Sequence, residues 1–158
     1  MKTPHSERIP ELPQGWPAST RAAQAAAARA EVVSFSEDRH ARGLRALNDI
    51  TGSPGAEAVE ALRDIAPDFA DWIVDFSYGD VMTRPGLDRR SRQFATIAAL
   101  TALGNAAPQL RVHIAGALNV GCKPQEIVEV ILQMSVYAGF PAAINALNIA
   151  RDVFDAQR

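Results

Sequence analysis

The stretch Gln133-Met-Ser-Val-Tyr137-Ala-Gly139-Phe-Pro141 decides the fold, because its glycine ends one helix and its proline begins the next. Its first two polar groups stand four residues apart in an otherwise apolar run, and so share one helix face. On the preceding helix, His113 is the only histidine in the strongly periodic half of the chain. Buried polar side chains cost free energy unless they are partnered, so these three groups are the first place to seek a site.

Helix signals continue on both sides of this stretch, and no segment shows sustained strand alternation. Asp88 is a good N-cap, and prolines stand at first helical positions. The pattern predicts helices over 18–33, from 36 to about 50, over 56–64, from 67 to about 79, over 89–103, 108–120 and 124–139, and from 141 onward. We therefore predict an all-α domain of about seven helices over 18–158, preceded by a flexible proline-rich tail over 1–17.

Bulk properties exclude several classes of function. The chain has 158 residues, 47% of them hydrophobic, and a net charge of −2. That charge and an aromatic content of 6% argue against nucleic acid as a partner. No apolar run reaches the roughly 18 residues of a membrane span, so we expect no membrane association and a cytoplasmic protein. The single cysteine, Cys122, excludes an intrachain disulfide.

The order and spacing of five motifs resemble the carboxymuconolactone decarboxylase family, within the alkylhydroperoxidase-like superfamily. The motifs are Arg84-Pro-Gly-Leu-Asp-Arg-Arg90, Leu110-Arg-Val-His113, Ala117-Leu-Asn-Val-Gly121, Gln125-Glu-Ile-Val-Glu-Val-Ile-Leu-Gln133 and Tyr137-Ala-Gly-Phe-Pro141. The resemblance implies helical subunits in a homo-oligomer, a trimer or hexamer. It also implies a cofactor-independent decarboxylase for a small anionic lactone or keto acid such as 4-carboxymuconolactone, in the catabolism of aromatic compounds.

A redox branch of the same superfamily uses two cysteines before the histidine and a glutamate as proton relay. Counted back from His113, the cysteines would fall at Ala106 and Gln109, and the glutamate near Gln93. All three are replaced, and Cys122 does not restore the arrangement. Because peroxide reduction needs a low-pKa thiolate and a resolving thiol, the sequence argues against a thiol peroxidase.

The implied reaction requires three tasks: holding a carboxylate, stabilising charge on the carbonyl oxygen, and delivering a proton to carbon. The arginine guanidinium can donate two parallel hydrogen bonds to one carboxylate. Arg84 and Arg90 are therefore the candidates for substrate binding. His113 suits proton transfer because its ordinary pKa is near neutrality. Gln133 or Tyr137 would donate to the carbonyl oxygen.

The loop before Arg84 departs from the family pattern. Tyr78 stands where tryptophan is usual, Asp80 where glutamate is usual, and Met82 where a second tryptophan is common. We interpret Tyr78 as a substrate-binding wall, and Asp80 as a group that orients His113 or an arginine. These departures keep two other functions open: a related cofactor-free isomerase or cyclase of a biosynthetic pathway, and a non-catalytic oligomeric binding protein.

Structural roles remain alternatives for most of these residues. The arginines after Asp88 are typical of a salt-bridged surface, Arg84 of a clamp on backbone carbonyls, and Cys122 of a small buried apolar group. We expect no metal site, because His5 and His40 lack Cys or His partners at ligand spacing. We also expect no cofactor.

Overall fold

The computed structural model describes residues 38–157, which form helices and the turns between them. In chain order these are α1 (Arg39–Glu60), α2 (Pro67–Trp72), a π-helix (Ile73–Met82), α3 (Arg89–Leu103), α4 (Ala107–Asn119), α5 (Pro124–Ala138) and α6 (Phe140–Asp155). The all-α prediction is confirmed, since residues 38–157 contain no strand. The predicted tail over 1–17 and the predicted helix over 18–33 lie outside the described residues.

The helix ends predicted in the second half of the chain are confirmed to within about one residue. Asp88 caps α3, because its side chain accepts a hydrogen bond from the backbone N–H of Ser91 at 3.0 Å. Gly104 ends that helix with a left-handed φ of 71°, a backbone conformation that glycine adopts without a Cβ penalty. At the start of α5 the Glu126 carboxylate accepts from the N–H of Lys123 at 2.8 Å. This bond is the glutamate half of a capping box, and it pairs the N–H of the N-cap residue.

The break predicted at 52–55 is present, as a kink that separates two helical segments. Residues Arg39–Glu60 form one helix with a kink, where Gly52 takes a φ of 64° and a ψ of −162°. Pro54 follows within the same helix. A proline breaks the regular backbone bonding of a helix, and glycine absorbs the resulting bend. The second half ends at Glu60 rather than at residue 64.

The helix predicted from Pro67 to about residue 79 changes character in the middle. It is α-helical over Pro67–Trp72 and then continues as a π-helix over Ile73–Met82. Long π-helical stretches are rare, and their backbone hydrogen bonds join residues five apart instead of four. Near its end, the Gly79 carbonyl oxygen accepts hydrogen bonds from Arg42 Nε at 2.9 Å and from Thr83 Oγ1.

Two apolar cores hold the described residues together. The larger one lies among α3, α4, α5 and α6 and is centred on Ile97, Ile114 and Ile131. The smaller one lies between α1 and the π-helix and includes Leu47 and Ile50. Packing of α4 against α1, as well as against α3 and α6, links the two cores. The central helix α4 therefore has neighbours on most of its sides.

Candidate active site

His113 lies in α4, and its ring is turned toward α3. The ring Nδ1 is 3.1 Å from Oε1 of Gln93, within hydrogen-bond range. The side chain is half-buried, and burial lowers the pKa of His113 below its ordinary value. Removal from water disfavours the charged imidazolium, so burial favours the neutral form of the ring.

Gln93 is the site residue that the sequence analysis did not select. It lies in α3 and is completely buried, with 0% of its surface exposed. Among residues 38–157 its amide Nε2 has no hydrogen-bond partner. An unpaired buried donor costs about 1–3 kcal/mol, and such costs are typical of functional sites. The signal was present in the sequence, since counting back from His113 placed the relay position of the redox branch at this residue.

Arg84 lies in the loop between the π-helix and α3, and its side chain is exposed. Within the described part of the chain, no hydrogen bond or ion pair engages its guanidinium. The loop itself is fixed, because Arg92 donates to the carbonyl oxygens of Leu87 at 3.1 Å and of Arg84 at 3.0 Å. Arg92 therefore acts as the carbonyl clamp, and the Arg84 guanidinium can bind an anion.

Arg90 is already engaged in an ion pair. Its Nη2 lies 2.7 Å from both carboxylate oxygens of Glu126, joining α3 to α5. The N–H of Lys123 and then Arg90 lower the pKa of Glu126, while Glu126 raises the pKa of Arg90. The salt-bridged alternative is thus confirmed for this arginine. A substrate carboxylate would have to compete with Glu126 for it.

Asp80 is paired with arginines of α1 rather than with His113. One carboxylate oxygen accepts from Arg39 Nε at 3.0 Å, and the other accepts from Arg39 Nη2. Arg42 Nη2 lies 3.5 Å from the first oxygen. Asp80 was predicted to orient either His113 or an arginine, and it contacts arginines. These contacts connect the end of the π-helix to the start of α1.

Tyr78 belongs to the smaller core. It is buried in contact with apolar residues of α1 and the π-helix. Burial raises the pKa of its phenol, and hydrogen bonding to Thr51 offsets part of that rise. The Thr51 hydroxyl in turn donates to the carbonyl of Leu47 at 2.8 Å. In the single chain the phenol is thus part of the packing between these two helices.

Gln133 and Tyr137 lie on α5, and both are exposed in the single chain. Tyr137 is 77% exposed and its neighbour Val136 is 76% exposed. The expectation that these polar groups lie on a core face is therefore wrong for one subunit. The buried face of α5 passes instead through Ile127 and Ile131.

Cys122 is a buried free thiol between α4 and α5. Burial raises the pKa of this thiol, with Arg90 opposing the rise. A catalytic thiolate requires a lowered pKa instead. The environment of Cys122 agrees with the packing role expected from the sequence and argues further against thiol peroxidase chemistry.

Two cavities of the chain lie away from the His113–Gln93 pair. One of about 280 Å³ lies between α1 and the π-helix and is lined by Leu44, Leu47 and Val74 among others. The other, of about 140 Å³, lies among α3, α4 and α6. Thr101 lines it, and its buried hydroxyl lacks a hydrogen-bond partner among the described residues.

Residues 38–157 offer neither a membrane-spanning helix nor a cluster of metal ligands. None of the helices there is both long enough and apolar enough to cross a bilayer. Within the same residues, no three His, Cys, Asp or Glu side chains are grouped so as to hold a metal ion.

This helical domain thus presents a half-buried histidine bonded to a glutamine as a candidate acid–base pair, and an exposed arginine in the loop before α3 as a candidate anion-binding group. The model of the carboxymuconolactone decarboxylase family matches residues 67–152. The chain is 39% identical over 119 residues to a 4-carboxymuconolactone decarboxylase of Acinetobacter baylyi, covering 75% of this chain and 88% of the relative. It is 34% identical over 113 residues to a nitrosuccinic acid decarboxylase of Metarhizium robertsii, covering 69% and 76%. The chain belongs to the carboxymuconolactone decarboxylase family and is a carboxy-lyase.

Proposed function

We propose that this protein decarboxylates a small carboxylated lactone such as 4-carboxymuconolactone, without a cofactor. The observation that carries the proposal is the His113–Gln93 pair, in which a hydrogen bond orients a half-buried imidazole and burial favours its uncharged form. The similarity to a 4-carboxymuconolactone decarboxylase over most of both chains supports the choice of substrate. The cytoplasm and the catabolism of aromatic compounds are the setting that we infer for it.

The substrate itself can accept the electrons of the reaction. When the bond between the ring carbon and its carboxylate breaks, CO₂ leaves and the electron pair moves through the ring double bond to the lactone carbonyl. The product of this step is a dienolate. In the substrate complex Nε2 of His113 takes up a proton from solvent and then gives it to carbon, which leaves both the lactone ring and the imidazole neutral. No oxidant or reductant is needed, because the electron pair of the broken bond stays in the organic product.

The two substrates named for the relatives share a chemical class, which we assign to this chain as well. Both are dicarboxylic acids in which the departing carboxylate can release its electrons to an acceptor, a conjugated lactone carbonyl in one and a nitro group in the other. A dianion of this kind requires cationic partners. Arg84 is the candidate for one carboxylate, because its guanidinium is exposed and unengaged within residues 38–157.

Turnover of 4-carboxymuconolactone tests the function directly. Incubation with the protein should remove the ultraviolet absorbance of the substrate and release one CO₂ per molecule consumed. Loss of absorbance without CO₂ would point to an isomerase or cyclase. Binding of the dianion without any reaction would point to a binding protein. Either result overturns the decarboxylase proposal for this substrate, and nitrosuccinic acid is the second substrate to try.

Arg84→Ala should lower kcat/KM by about 10- to 100-fold, the equivalent of a lost charge-assisted hydrogen bond of about 1.5–3 kcal/mol. Arg84→Lys should recover part of the loss, since it keeps the charge but not the two-point geometry. Arg89→Ala is the matched control, because Arg89 is exposed nearby and already paired with Asp49 at 3.2 Å. Steady-state kinetics of the three variants decide the assignment, and equal losses for Arg84→Ala and Arg89→Ala would refute it.

We infer further that the protein is a homo-oligomer, a trimer or hexamer, whose subunits meet through α5 and the start of α6. Large apolar side chains are exposed there, with Val136 at 76% and Phe140 at 73%. Leu132, Tyr137 and Ile144 extend the same surface. Contiguous apolar patches of this kind mark association sites in soluble proteins. In such an assembly Gln133 and Tyr137 become interfacial groups, which is how they would reach a reaction site.

Val136→Asp should therefore dissociate the oligomer into monomers, because an unpaired carboxylate buried in an apolar interface costs several kcal/mol. Size-exclusion chromatography with light scattering measures the mass. Ile65→Asp is the control, since Ile65 is 79% exposed in the turn between α1 and α2. A monomeric wild-type protein, or a Val136→Asp variant that keeps the wild-type mass, would contradict this interface.

A further inference from the structure

With Oε1 of Gln93 facing the ring, the bond between Gln93 and His113 has one direction. Amide Oε1 of Gln93 carries lone pairs and no hydrogen, so it can only accept. It lies 3.1 Å from Nδ1 of the ring, so the hydrogen of this bond belongs to Nδ1. A neutral imidazole carries one N–H, which leaves Nε2 with a free lone pair. Gln93 is fully buried in α3, so its amide is itself shielded from solvent.

We propose that Gln93 is a positioning residue that fixes the tautomer of His113 and confines proton exchange to Nε2. The Nδ1–H bond to Gln93 Oε1 is compatible with both the neutral and the protonated ring. The ring therefore gains and loses its proton at one nitrogen without turning. The structural part of this inference stands alone, whereas its meaning for catalysis rests on the proposed decarboxylation.

A glutamine and a glutamate at this position would have opposite effects on the ring. A carboxylate beside Nδ1 would stabilise the imidazolium and hold its proton. The amide accepts the same hydrogen bond without adding charge, so a proton taken up at Nε2 remains acidic enough to pass to carbon. A bound dianion supplies the negative charge that favours this uptake. Replacement of the superfamily's relay glutamate by Gln93 thus suits a proton donor to a carbanionic substrate.

Several charged groups on the helices near α4 are paired with one another. Arg111 of α4 pairs with Asp152 of α6 at 2.9 Å, and Arg90 of α3 pairs with Glu126 of α5. On the α1 side, Asp49 pairs with Arg89 of α3. Burial is the one resolved cause of the pKa shift of His113 in the described residues, and no charge contributes to it. Within the described residues, the neutral amide of Gln93 is the side-chain group hydrogen-bonded to the ring.

Nitrogen-15 NMR of the histidine side chains reads the tautomer directly, on the intact protein without substrate. At a pH above the His113 transition, we expect Nδ1 to resonate as a protonated nitrogen and Nε2 as an unprotonated one. His113→Gln identifies the signals by their loss. The opposite pattern, with the hydrogen on Nε2, would overturn the proposal. This result is independent of the decarboxylation assay, so the two can fail separately.

Two variants of Gln93 extend the test. Gln93→Glu should move the His113 titration midpoint to higher pH and shift the pH profile of kcat in the same direction. Gln93→Met, of similar volume, should release the tautomer toward the Nε2–H form that predominates in free imidazole side chains, and lower kcat more than it changes KM. An unchanged tautomer in Gln93→Met would refute the assignment.

Thr101→Val is the matched control. Thr101 lies on the same helix, is 2% exposed, and has an unpaired hydroxyl among the described residues. Its replacement removes a buried polar atom at constant shape and should leave the His113 signals unchanged. A similar change in Thr101→Val and Gln93→Met would show general loosening of α3 instead of a specific bond, and would count against the proposal. If Gln93→Met does not fold, the tautomer seen in the wild-type spectrum and the titration midpoint of His113 in Gln93→Glu still test the proposal.

Discussion

His113→Gln is expected to lower kcat for decarboxylation by about 100- to 10,000-fold, the range that general acid–base groups contribute. The variant keeps a side chain of similar reach whose amide can still bond to Gln93, but it has no group that titrates near neutrality. Steady-state kinetics with 4-carboxymuconolactone measures the effect. Because proton delivery occurs after the substrate is bound, the loss should appear in kcat, with a smaller change in KM.

Glu129→Gln is the matched control for that experiment. Glu129 is exposed on α5 and stands outside the His113–Gln93 pair, so its variant should keep wild-type turnover. The kcat values of the variants are compared at pH 7.5, so that a loss of folding stability is not mistaken for a loss of catalysis. The folded state binds protons at His113 less readily than the unfolded state, so stability is full above its ordinary pKa and falls as pH drops through that value. Wild-type kcat in a folded His113→Gln protein would refute the proposed proton donor.

Local signals in the sequence predict the second half of the fold well. Asp88, Gly104 and Pro124 each act within a few residues, through a cap, a left-handed turn or a fixed φ. The π-helix could not be predicted in this way, because its form depends on how residues 73–82 meet α1. A pattern of apolar residues counted at 3.6 per turn contains no information about a partner helix.

The same distinction between local signals and distant partners applies to the residues of the candidate site. His113 was identified from its place on a periodic helix, and its partner Gln93 was within reach by counting along the chain. Asp80 and Tyr78 were interpreted by their type, but Arg39 and the smaller core decide their roles. Those partners are distant in sequence. Tyr137 shows the limit most clearly, since an apolar run predicts burial without saying whether the subunit core or a second subunit provides it.

Gly43→Ala should destabilise the fold by about 2 kcal/mol, although alanine favours helices. Gly43 lies in α1 against the π-helix, where an added Cβ would overlap the carbonyl oxygen of Val74 and lie 2.9 Å from its Cγ1. Backbone cannot rotate away as a side chain can, so overpacking costs close to 3 kcal/mol, the upper end of its usual range. The gain in helix propensity offsets about 1 kcal/mol of that cost.

Thermal denaturation measures this effect as a fall in Tm of about 4–8 °C, at roughly 2–4 °C per kcal/mol for a domain of this size. Gly86→Ala is the control, because a Cβ at Gly86 meets nothing within 4 Å and its φ is not in the left-handed region. Its Tm should change by no more than about 1–2 °C, as for ordinary surface substitutions. Below the lowered Tm, kcat of Gly43→Ala should be unchanged, because the π-helix contact supports the smaller core and His113 lies with Gln93 between α3 and α4. A Tm equal to that of Gly86→Ala would mean that α1 and the π-helix are not in the close contact that leaves room only for glycine.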